Sequence, residues 1–344
     1  MGKGAAVGPS KERMESGKPV RMADIAEKLG ISIVSVSKGL SGRDGVSDEL
    51  RARILATARE MGYRNAREPA PAQDGVISIG VLVLDRFFNE SAFYNNLYRD
   101  LLTCCQRQHL IALMEIITNE AEWGCVVPTL VESGRVDGLV FMGEFSSDYI
   151  RAATARGLPY VLLDFFKDDL TADSIVSDNV HGAFALTEHL LNAGRRKVAF
   201  VGSTWATNSI MDRYLGYCKA LYRRGLSPRE DWRIEDRDRE GLYIPFELPE
   251  EMPDAFVCNC DEVAYNLVEH LKERGLRVPE DVAVTGYDDF RFATLCRPQL
   301  TTYAINVQAM AEAATAILSR RIRKMSVDAP MRVIPGHLIV RESG

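Results

Sequence analysis

The stretch that decides the fold runs from Val20 to Tyr63 and reads VRMADIAEKLGISIVSVSKGLSGRDGVSDELRARILATAREMGY. Its first apolar residues recur at the spacing of one helix face: Met22, Ile25, Ala26 and Leu29. Gly30 can end this helix, because glycine enters the left-handed conformation without steric cost. Ser32 and Ser47 each precede a further apolar run, so they can cap a second and a third helix. Two helices joined by a glycine turn and braced by a third are typical of a helix-turn-helix unit, whose second helix enters the DNA major groove.

The second predicted helix carries side chains that its apolar face does not use: Ile33, Val34, Ser37 and Lys38. Charge is also uneven, because residues 1–67 hold 13 Lys/Arg and 8 Asp/Glu, a net +5 within a chain of net charge −6. A cationic segment on an anionic body favours contact with DNA phosphates through that segment alone. The alternative is an ordinary three-helix subdomain without a nucleic-acid role, since a helix, a glycine turn and a helix are weak evidence by themselves.

Length and composition limit the remaining classes. A chain of 344 residues is expected to form more than one domain, and 46% apolar and 26% charged residues are ordinary for a globular protein. The sequence has no apolar run of about 18 residues, and residues 1–17 lack the apolar core of a secretory signal, so they are expected to form a flexible leader. The seven cysteines and five histidines show no metal-binding spacing. Reduced thiols, a cytoplasmic location, no metal and no cofactor are therefore expected.

Beyond Val76 buried strands alternate with helices, which predicts an α/β fold with parallel sheets. Three further predictions are local. Residues 120–133 are expected to form one helix, and residues 331–340 one final strand. Residues 236–253 contain three prolines, which exclude a helix of useful length, so this segment is expected to be a structured loop near a cleft.

The N-terminal stretch resembles the DNA-binding headpiece of the LacI/GalR family of bacterial repressors. The resemblance is carried by Asp24-Ile25-Ala26, Leu29-Gly30-Ile31-Ser32, Ser35-Val36-Ser37-Lys38, Val46-Ser47 and Gly62-Tyr63. It implies DNA contacts from one set of residues: Arg21, Ser32, Ile33, Val34, Ser35, Ser37 and Lys38. Three of these stand at base-reading positions: Ile33, Val34 and Lys38. Lys38 replaces the usual arginine, so it lacks the flat fork that makes arginine bidentate. Arg21 replaces a common threonine cap, so the first helix is expected to begin with a different cap.

The rest of the chain is similar to the same family at several motifs in the same order: Val176-Ser177-Asp178-Asn179, Gly182, Arg213-x-x-Gly216-Tyr217, residues 278–289, Leu300-Thr301-Thr302 and Arg341-Glu342-Ser343. This implies a small all-α helix-turn-helix domain over residues 18–63, a linker over 64–76, and a ligand-sensing body over 77–343. The body would be a two-lobe α/β structure akin to periplasmic sugar-binding proteins. Its first lobe would take residues 77–176 and 307–324, and its second lobe 180–303 and 331–343.

The linker departs from the family pattern. Most members carry an Ala-Arg-x-Leu stretch that forms a hinge helix on operator DNA, and its leucine wedges into the minor groove. Here Ala66-Arg67 is followed by Glu68-Pro69, and no leucine follows. The linker is therefore expected to contribute less to operator affinity, or to seat differently.

In open parallel sheets, ligands bind beyond the carboxyl ends of the strands. Eight residues near such ends are predicted to bind a ligand: Phe93, Tyr94, Asp164, Trp205, Asp212, Arg213, Asp261 and Asp288. Sugars suit this set, because C–H faces stack on rings while hydroxyls bond to carboxylates and guanidinium. Arg213 and Asp288 match the family's ligand-contacting positions most directly.

Several of these residues have a plainer alternative. Phe93 and Tyr94 could belong to the core of a helix face, and Asp164 could be a turn residue. Cys260 stands where many family members carry a polar asparagine, so one usual hydrogen bond is expected to be missing. Asn259 is expected to alternate away from the cleft.

These observations predict a transcriptional regulator, in particular a repressor. Its expected partners are double-stranded operator DNA, a small effector such as a sugar or oligosaccharide, and a second copy of the chain, with no membrane. One alternative is a carbohydrate-binding protein or glycoside-processing enzyme without a DNA role, because paired acids can cleave glycosides. The sequence contains no nucleophile elbow and no phosphate-cradling glycine loop, which weighs against an enzyme. A transport receptor is disfavoured by the headpiece and by the lack of a secretory signal.

Overall fold

The computed structural model describes residues 20–41, 45–61, 76–88, 92–239, 241–245, 247–326 and 331–344. The chain divides into two compact units, Met1–Pro71 and Ala72–Gly344. The predictions for the leader and for the linker fall on residues 1–19 and 62–75, which lie outside the described ranges.

The described part of the first unit contains three helices, α1 Met22–Leu29, α2 Ile33–Ser41 and α3 Asp48–Glu60. Gly30 ends α1 in the left-handed conformation with φ 66°, as its lack of a side chain allows. The predicted caps are present, because Oγ of Ser32 accepts from the Ser35 N–H at 3.1 Å and Oγ of Ser47 accepts from the Leu50 N–H at 3.3 Å. At the start of α1 the carboxylate of Asp24 accepts from the Arg21 N–H at 2.6 Å. This contact takes the place of a threonine cap.

The three helices share one small core. Ile25 of α1, Val36 of α2 and Ile54 of α3 are completely buried at its centre. Gly39 lets α2 approach α3 closely, because a Cβ at this position would lie 2.6 Å from Cδ1 of Ile54. The helix-turn-helix fold is confirmed. The first half of α2 leaves its outer face exposed.

The second unit is a two-lobe α/β body. Its first half contains β1 Ser78–Leu84, α4 Asp85–Phe88, α5 Ala92–Arg107, β2 Ile111–Ile117, α6 Asn119–Trp123, α7 Thr129–Glu132, β3 Gly138–Met142, α8 Ser147–Thr154, β4 Tyr160–Leu163 and β5 Asp173–Ser177. Its second half contains α9 Asn179–Asn192, β6 Val198–Val201, α10 Asn208–Arg223, β7 Arg233–Ile234, β8 Ala255–Cys258, α11 Asp261–Glu273, β9 Ala283–Thr285, α12 Arg291–Leu295, β10 Thr302–Ala304, α13 Val307–Ile322, β11 Met331–Ile334 and β12 His337–Ile339.

Two parallel sheets define the lobes. The first lobe has the order β11-β5-β4-β3-β1-β2, and the second has the order β7-β6-β8-β9. Strands β10 and β12 pair antiparallel in a separate two-stranded sheet. Helix α13 packs into the core of the first lobe through residues such as Met310 and Ala314. The α/β fold with parallel sheets is thereby confirmed.

Two local predictions were wrong. Residues 331–340 do not form one strand of the second lobe. Strand β11 instead pairs parallel with β5 in the first lobe, Met331 opposite Ser174, and Pro335-Gly336 separates it from β12. Residues 120–133 form two short helices rather than one. Between them, Cys125 adopts φ 48° and Pro128 precedes α7, a combination that a continuous helix does not allow. The prediction of a loop over residues 236–253 agrees with the described residues of that segment.

A close helix crossing positions one side of the cleft in the second lobe. A Cβ at Gly216 of α10 would lie 2.2 Å from the carbonyl oxygen of Val180 in α9. Only glycine permits this approach, which sets α10 and its Arg213 against the start of α9. In the described ranges, no helix combines the length and the apolar character that a membrane span needs.

Candidate functional site

The exposed face of α2 is the candidate DNA-binding surface. Ile33 and Val34 are 52% and 64% exposed, although both are apolar. Ser32 and Ser37 are also exposed, Ser35 and Lys38 are half-buried, and Arg21 is exposed before α1. The opposite face of α2 packs in the core, whereas these two apolar side chains face water, which is energetically unfavourable. They suit contact with thymine methyl groups in the major groove.

A cavity of about 290 Å³ lies between the two lobes of the second unit. Residues that follow strands β1, β2, β4, β6, β8 and β9 line it, as expected for the carboxyl ends of parallel strands. Seven of the eight residues predicted to bind ligand are among its lining: Phe93, Tyr94, Asp164, Trp205, Arg213, Asp261 and Asp288.

Asp164 is the most distinctive group in this cavity. It follows β4 with a left-handed φ of 74° and is buried. Its Oδ2 accepts a 2.9 Å hydrogen bond from the hydroxyl of Tyr94, whereas Oδ1 is buried without a partner among the described residues. Burial raises the pKa of this carboxyl from 3.8 to about 6, although nearby Arg213 opposes the rise. The unpartnered oxygen is an acceptor ready for a ligand hydroxyl.

Phe93 and Tyr94 have features of both predicted roles, as core residues of a helix face and as residues of the cavity wall. They are buried in the core of the first lobe and also line the cavity. Their rings lie edge to face with centroids 4.9 Å apart, and Phe93 lies 6.0 Å from the ring of Phe290. Rigid aromatic packing behind the cavity wall fixes the orientation of the Tyr94 hydroxyl.

Arg213 organises the wall on the second lobe. Its Nε donates to Oδ1 of Asn179 at 2.9 Å, and its Nη1 donates to the carbonyl oxygen of Asn259 at 2.5 Å. Its guanidinium lies 3.8 Å from the ring centroid of Tyr287, and Nη2 lies 3.7 Å from Oδ1 of Asp288. Two of its three nitrogens therefore donate hydrogen bonds to other parts of the protein. Nη2, which faces the loose contact with Asp288, remains suited to a ligand oxygen.

The other two acids differ in role. Asp261 accepts from the hydroxyl of Thr302 at 2.7 Å and from the N–H of Phe290 at 2.9 Å, so both of its oxygens hold neighbouring segments in place. Asp288 adopts φ 111°, and no hydrogen bond to its side chain is described. Burial raises the pKa of both carboxyls, and at Asp288 the charge of Arg213 opposes this rise. Asp288 is thus the better candidate for a ligand contact.

Two expectations about individual residues were wrong. Asp212 does not line the cavity, because a helical step of about 100° turns it away from the face that carries Arg213. Asn259 does line the cavity, and its amide donates to Val201 and to Asp236 at 3.0 and 2.8 Å. The strand ends at Cys258, so the alternation of a strand does not extend to Asn259.

The loop after β7 supplies residues that sequence reasoning missed. Arg237, Arg239, Gly241 and Tyr243 all line the cavity. The Arg237 guanidinium donates to Asp236 at 2.8 Å and to the Tyr243 hydroxyl at 3.0 Å, and its centre lies 4.5 Å from the Tyr243 ring centroid. The three prolines signalled a loop near the cleft, but loops have no periodicity from which inward-facing side chains can be read.

The described residues offer no metal centre, since no group of three or more histidine, cysteine or acidic side chains gathers among them. All seven cysteines are free. Burial raises the pKa of Cys258 and Cys260, which keeps these thiols protonated and weakly nucleophilic. Cys260 Sγ lies 3.6 Å from the Tyr243 hydroxyl, so this thiol still makes a weak polar contact at the cavity.

Known protein families match parts of both units. A family model described as bacterial regulatory proteins, lacI family, matches residues 21–65, and a periplasmic binding protein-like domain matches residues 187–344. Catabolite control protein A of Priestia megaterium is 26% identical over 94% of this chain and 99% of its own length.

Solved structures agree in fold. A transcriptional regulator CelR–cellobiose complex has a TM-score of 0.67 and 21% identity, covering 94% of this chain and 100% of that chain. The lac repressor dimer bound to operator and the anti-inducer ONPF has a TM-score of 0.67 and 22% identity, covering 95% of this chain and 99% of that chain. The first of these structures is named as a transcriptional regulator and the second as a repressor bound to its operator. The chain belongs to the LacI family of bacterial transcriptional regulators.

Proposed function

We propose that this regulator is a repressor whose operator affinity changes when a sugar or oligosaccharide occupies the cavity between the lobes. One observation carries the choice of ligand: the buried carboxyl of Asp164, whose Oδ1 has no partner among the described residues, lines a cavity that Phe93 and Phe290 also line. A sugar hydroxyl can donate to this oxygen, and the C–H face of the same ring can pack on an aromatic side chain. The cellobiose complex of the similar CelR regulator supports this ligand class.

The proposed DNA contacts come from the start of α2 and the segment before α1. Ile33 and Val34 would meet base edges together with Lys38, while Arg21 and the serines would hold the phosphate backbone. Two copies of the chain would place two headpieces on a near-palindromic operator, as a two-fold dimer requires. The operator-bound lac repressor dimer supports this arrangement. The protein would then act in the cytoplasm, where operator DNA lies.

Control of DNA binding requires a differential affinity of the ligand for two states of the protein. A ligand that binds one arrangement of the lobes more tightly shifts the population towards it. The linker would transmit this preference to the headpieces as a coupling free energy, typically ~1–3 kcal/mol. Either sign fits this linkage, so the ligand can release the operator or strengthen its binding.

The first test is thermal unfolding of the purified protein against mono- and oligosaccharides, plain and phosphorylated. A ligand at ~100 times its dissociation constant stabilises the native state by ~2.7 kcal/mol, which raises the midpoint by a few degrees. The Asp164→Ala variant should lose this shift, whereas Tyr222→Ala, which removes an exposed ring outside the cavity, should retain it. A panel in which no saccharide raises the midpoint would refute the carbohydrate effector.

The second test concerns DNA. Selection from random double-stranded DNA should yield a near-palindromic site, and the sugar identified above should change the affinity for that site. Deletion of residues 1–75 should abolish DNA binding and leave sugar binding intact. If the truncated body still bound the site, DNA recognition would not reside in the headpiece.

A further inference from the structure

We infer that the cavity has an outer subsite, formed by Trp123 and Trp205 at its mouth, which binds a second sugar ring, so that the effector is a disaccharide or longer saccharide. The inference rests on the proposed carbohydrate effector and specifies its length. The side chains that line the cavity are buried and polar at its inner end and exposed and aromatic at its mouth.

The inner end of the cavity is enclosed and polar. Tyr94, Asp164 and Arg213 are each less than a tenth exposed, and Asp288 is largely buried. These groups suit the hydroxyls of one sugar ring, because a buried polar atom is stabilised when a ligand supplies its hydrogen bond. A ligand of one ring could satisfy this end of the cavity alone.

The mouth of the cavity is different in character. The chain has three tryptophans, and two of them line this cavity while remaining 69% exposed at Trp123 and 50% exposed at Trp205. The third, Trp232, is buried outside the cavity. A large aromatic ring left in water is unfavourable unless it has a partner, and flat rings are the surface on which the C–H face of a pyranose stacks.

The two tryptophans come from opposite lobes. Trp123 ends α6 after β2 of the first lobe, and Trp205 lies in the turn after β6 of the second lobe. The indole N–H of Trp205 donates to Oε2 of Glu235 at 2.8 Å, which fixes the ring without covering it. A sugar ring bound at both would therefore contact both lobes, and this contact would favour one arrangement of the lobes over another.

Arg239 extends the same outer region. It is exposed, lines the cavity, and has no ion pair among the residues that the structure describes. Its planar guanidinium can donate to several oxygens of an outer ring. Arg239 lies in the loop after β7, which also brings Arg237 and Tyr243 to the cavity wall.

The test compares disaccharides with their constituent monosaccharides by calorimetry. Suitable pairs are cellobiose and maltose with glucose, lactose with galactose, and xylobiose with xylose. At least one disaccharide should bind ten times more tightly than its monosaccharides. Trp123→Ala and Trp205→Ala should each weaken that disaccharide by roughly 3- to 10-fold, the usual range for one aromatic contact, and leave the monosaccharide within twofold. Tyr222→Ala is the matched control, because it removes an exposed ring outside the cavity and should change neither.

Tryptophan fluorescence gives an independent readout. The disaccharide should protect the wild-type protein from iodide quenching, and the Trp123→Phe/Trp205→Phe double variant, which keeps only buried Trp232, should show no protection. Equal affinities for a disaccharide and its monosaccharides, with unaffected tryptophan variants, would overturn the outer subsite and leave the proposed function intact. An equal loss for both sugars would overturn it too, since the tryptophans would then belong to the inner end. Absence of binding by every sugar would overturn both proposals.

Discussion

The hydroxyl of Tyr94 in α5 donates a 2.9 Å hydrogen bond to Oδ2 of Asp164, seventy residues later in the chain, while Oδ1 of the same carboxylate has no partner in the part of the chain that the structure describes. One oxygen of this carboxylate is thus fixed by the protein, and the other is the acceptor that we propose for a ligand hydroxyl. The cost is an ionised group held away from water, which is why burial raises its pKa to about 6.

This relationship predicts a pH dependence of stability. Because the folded pKa of Asp164 is raised above 3.8, the native state keeps a proton between about pH 4 and pH 6 that the unfolded state releases. The carboxyl therefore lowers stability progressively as pH rises through this window. Asp164→Asn removes the penalty. The difference in the free energy of unfolding between the variant and the wild type should therefore grow by roughly 2–3 kcal/mol, in favour of the variant, as the pH rises from 4 to 7. Urea unfolding of both proteins across this range measures it, and parallel curves would contradict the assignment.

A second relationship joins the lobes outside the cavity. Glu144, after β3, accepts from the N–H of Asn208 at the start of α10 at 2.8 Å, and from Nζ of Lys167 at 2.8 Å. A carboxylate at a helix N-terminus interacts favourably with the unpaired N–H groups there. The contact therefore holds the first lobe against the second.

Glu144→Ala should lower the free energy of unfolding by about 1 kcal/mol and also weaken sugar binding, because the arrangement of the lobes in this structure loses a contact. Glu188→Ala is the control, since Glu188 pairs with Arg224 within the second lobe at 2.5 Å. It can lower stability but should leave sugar affinity unchanged. Unfolding and calorimetry separate the two effects, and equal sugar affinities for all three proteins would rule out the interlobe role of Glu144.

The exposed face of α2 predicts a loss of sequence discrimination without a loss of stability. Val34→Ser should reduce operator affinity by about 1 kcal/mol at one base pair and leave the salt dependence of binding unchanged, because an apolar contact releases no counterion. Its thermal midpoint should stay close to the wild type, since Val34 is mostly exposed. Ala56→Ser, on the exposed side of α3, is the control. Equal weakening on all DNA sequences would mean that Val34 serves the backbone contact rather than base reading.

The headpiece and the parallel sheets could be predicted from the sequence because local signals carry them. Gly30, Ser32 and Ser47 act within a few residues of themselves, and buried strands read as apolar runs. The final strand shows the limit of such signals. Residues 331–340 look like one strand, but the choice of partner is a long-range matter, and β11 pairs with β5 while β12 pairs with β10.

The cavity was predicted in outline for a similar reason. Strand ends place side chains at one edge of a sheet, which located Asp164, Trp205 and Asp288. Which atoms remain unpartnered depends on contacts between distant segments, such as Tyr94 with Asp164, and these leave no trace in periodicity. Arg237 and Tyr243 were missed because a loop has no repeating geometry, and Trp123 was missed because its helix was expected to continue beyond it.

The double role of Arg213 leads to a contrast between two variants. Arg213→Ala removes hydrogen bonds to Asn179 and to the Asn259 carbonyl together with the stacking on Tyr287, so it should lower the free energy of unfolding by about 3 kcal/mol or more as well as abolish the sugar response. Asp288→Asn keeps these contacts of Arg213. It replaces a carboxyl whose pKa is already raised by burial, so the free energy of unfolding should be unchanged or higher. Its sugar response should nevertheless be weakened.

Both variants should still bind the operator at a temperature below their unfolding midpoints, because the headpiece has its own core. Calorimetry with the effector sugar, urea unfolding and operator titration distinguish the outcomes. If Arg213→Ala were as stable as the wild type, the hydrogen bonds to Asn179 and Asn259 would not stabilise the fold. If Asp288→Asn bound sugar as well as the wild type, the ligand would be held by Asp164 and Arg213 without Asp288, and the inner ring would have to sit nearer to β4 than to β9.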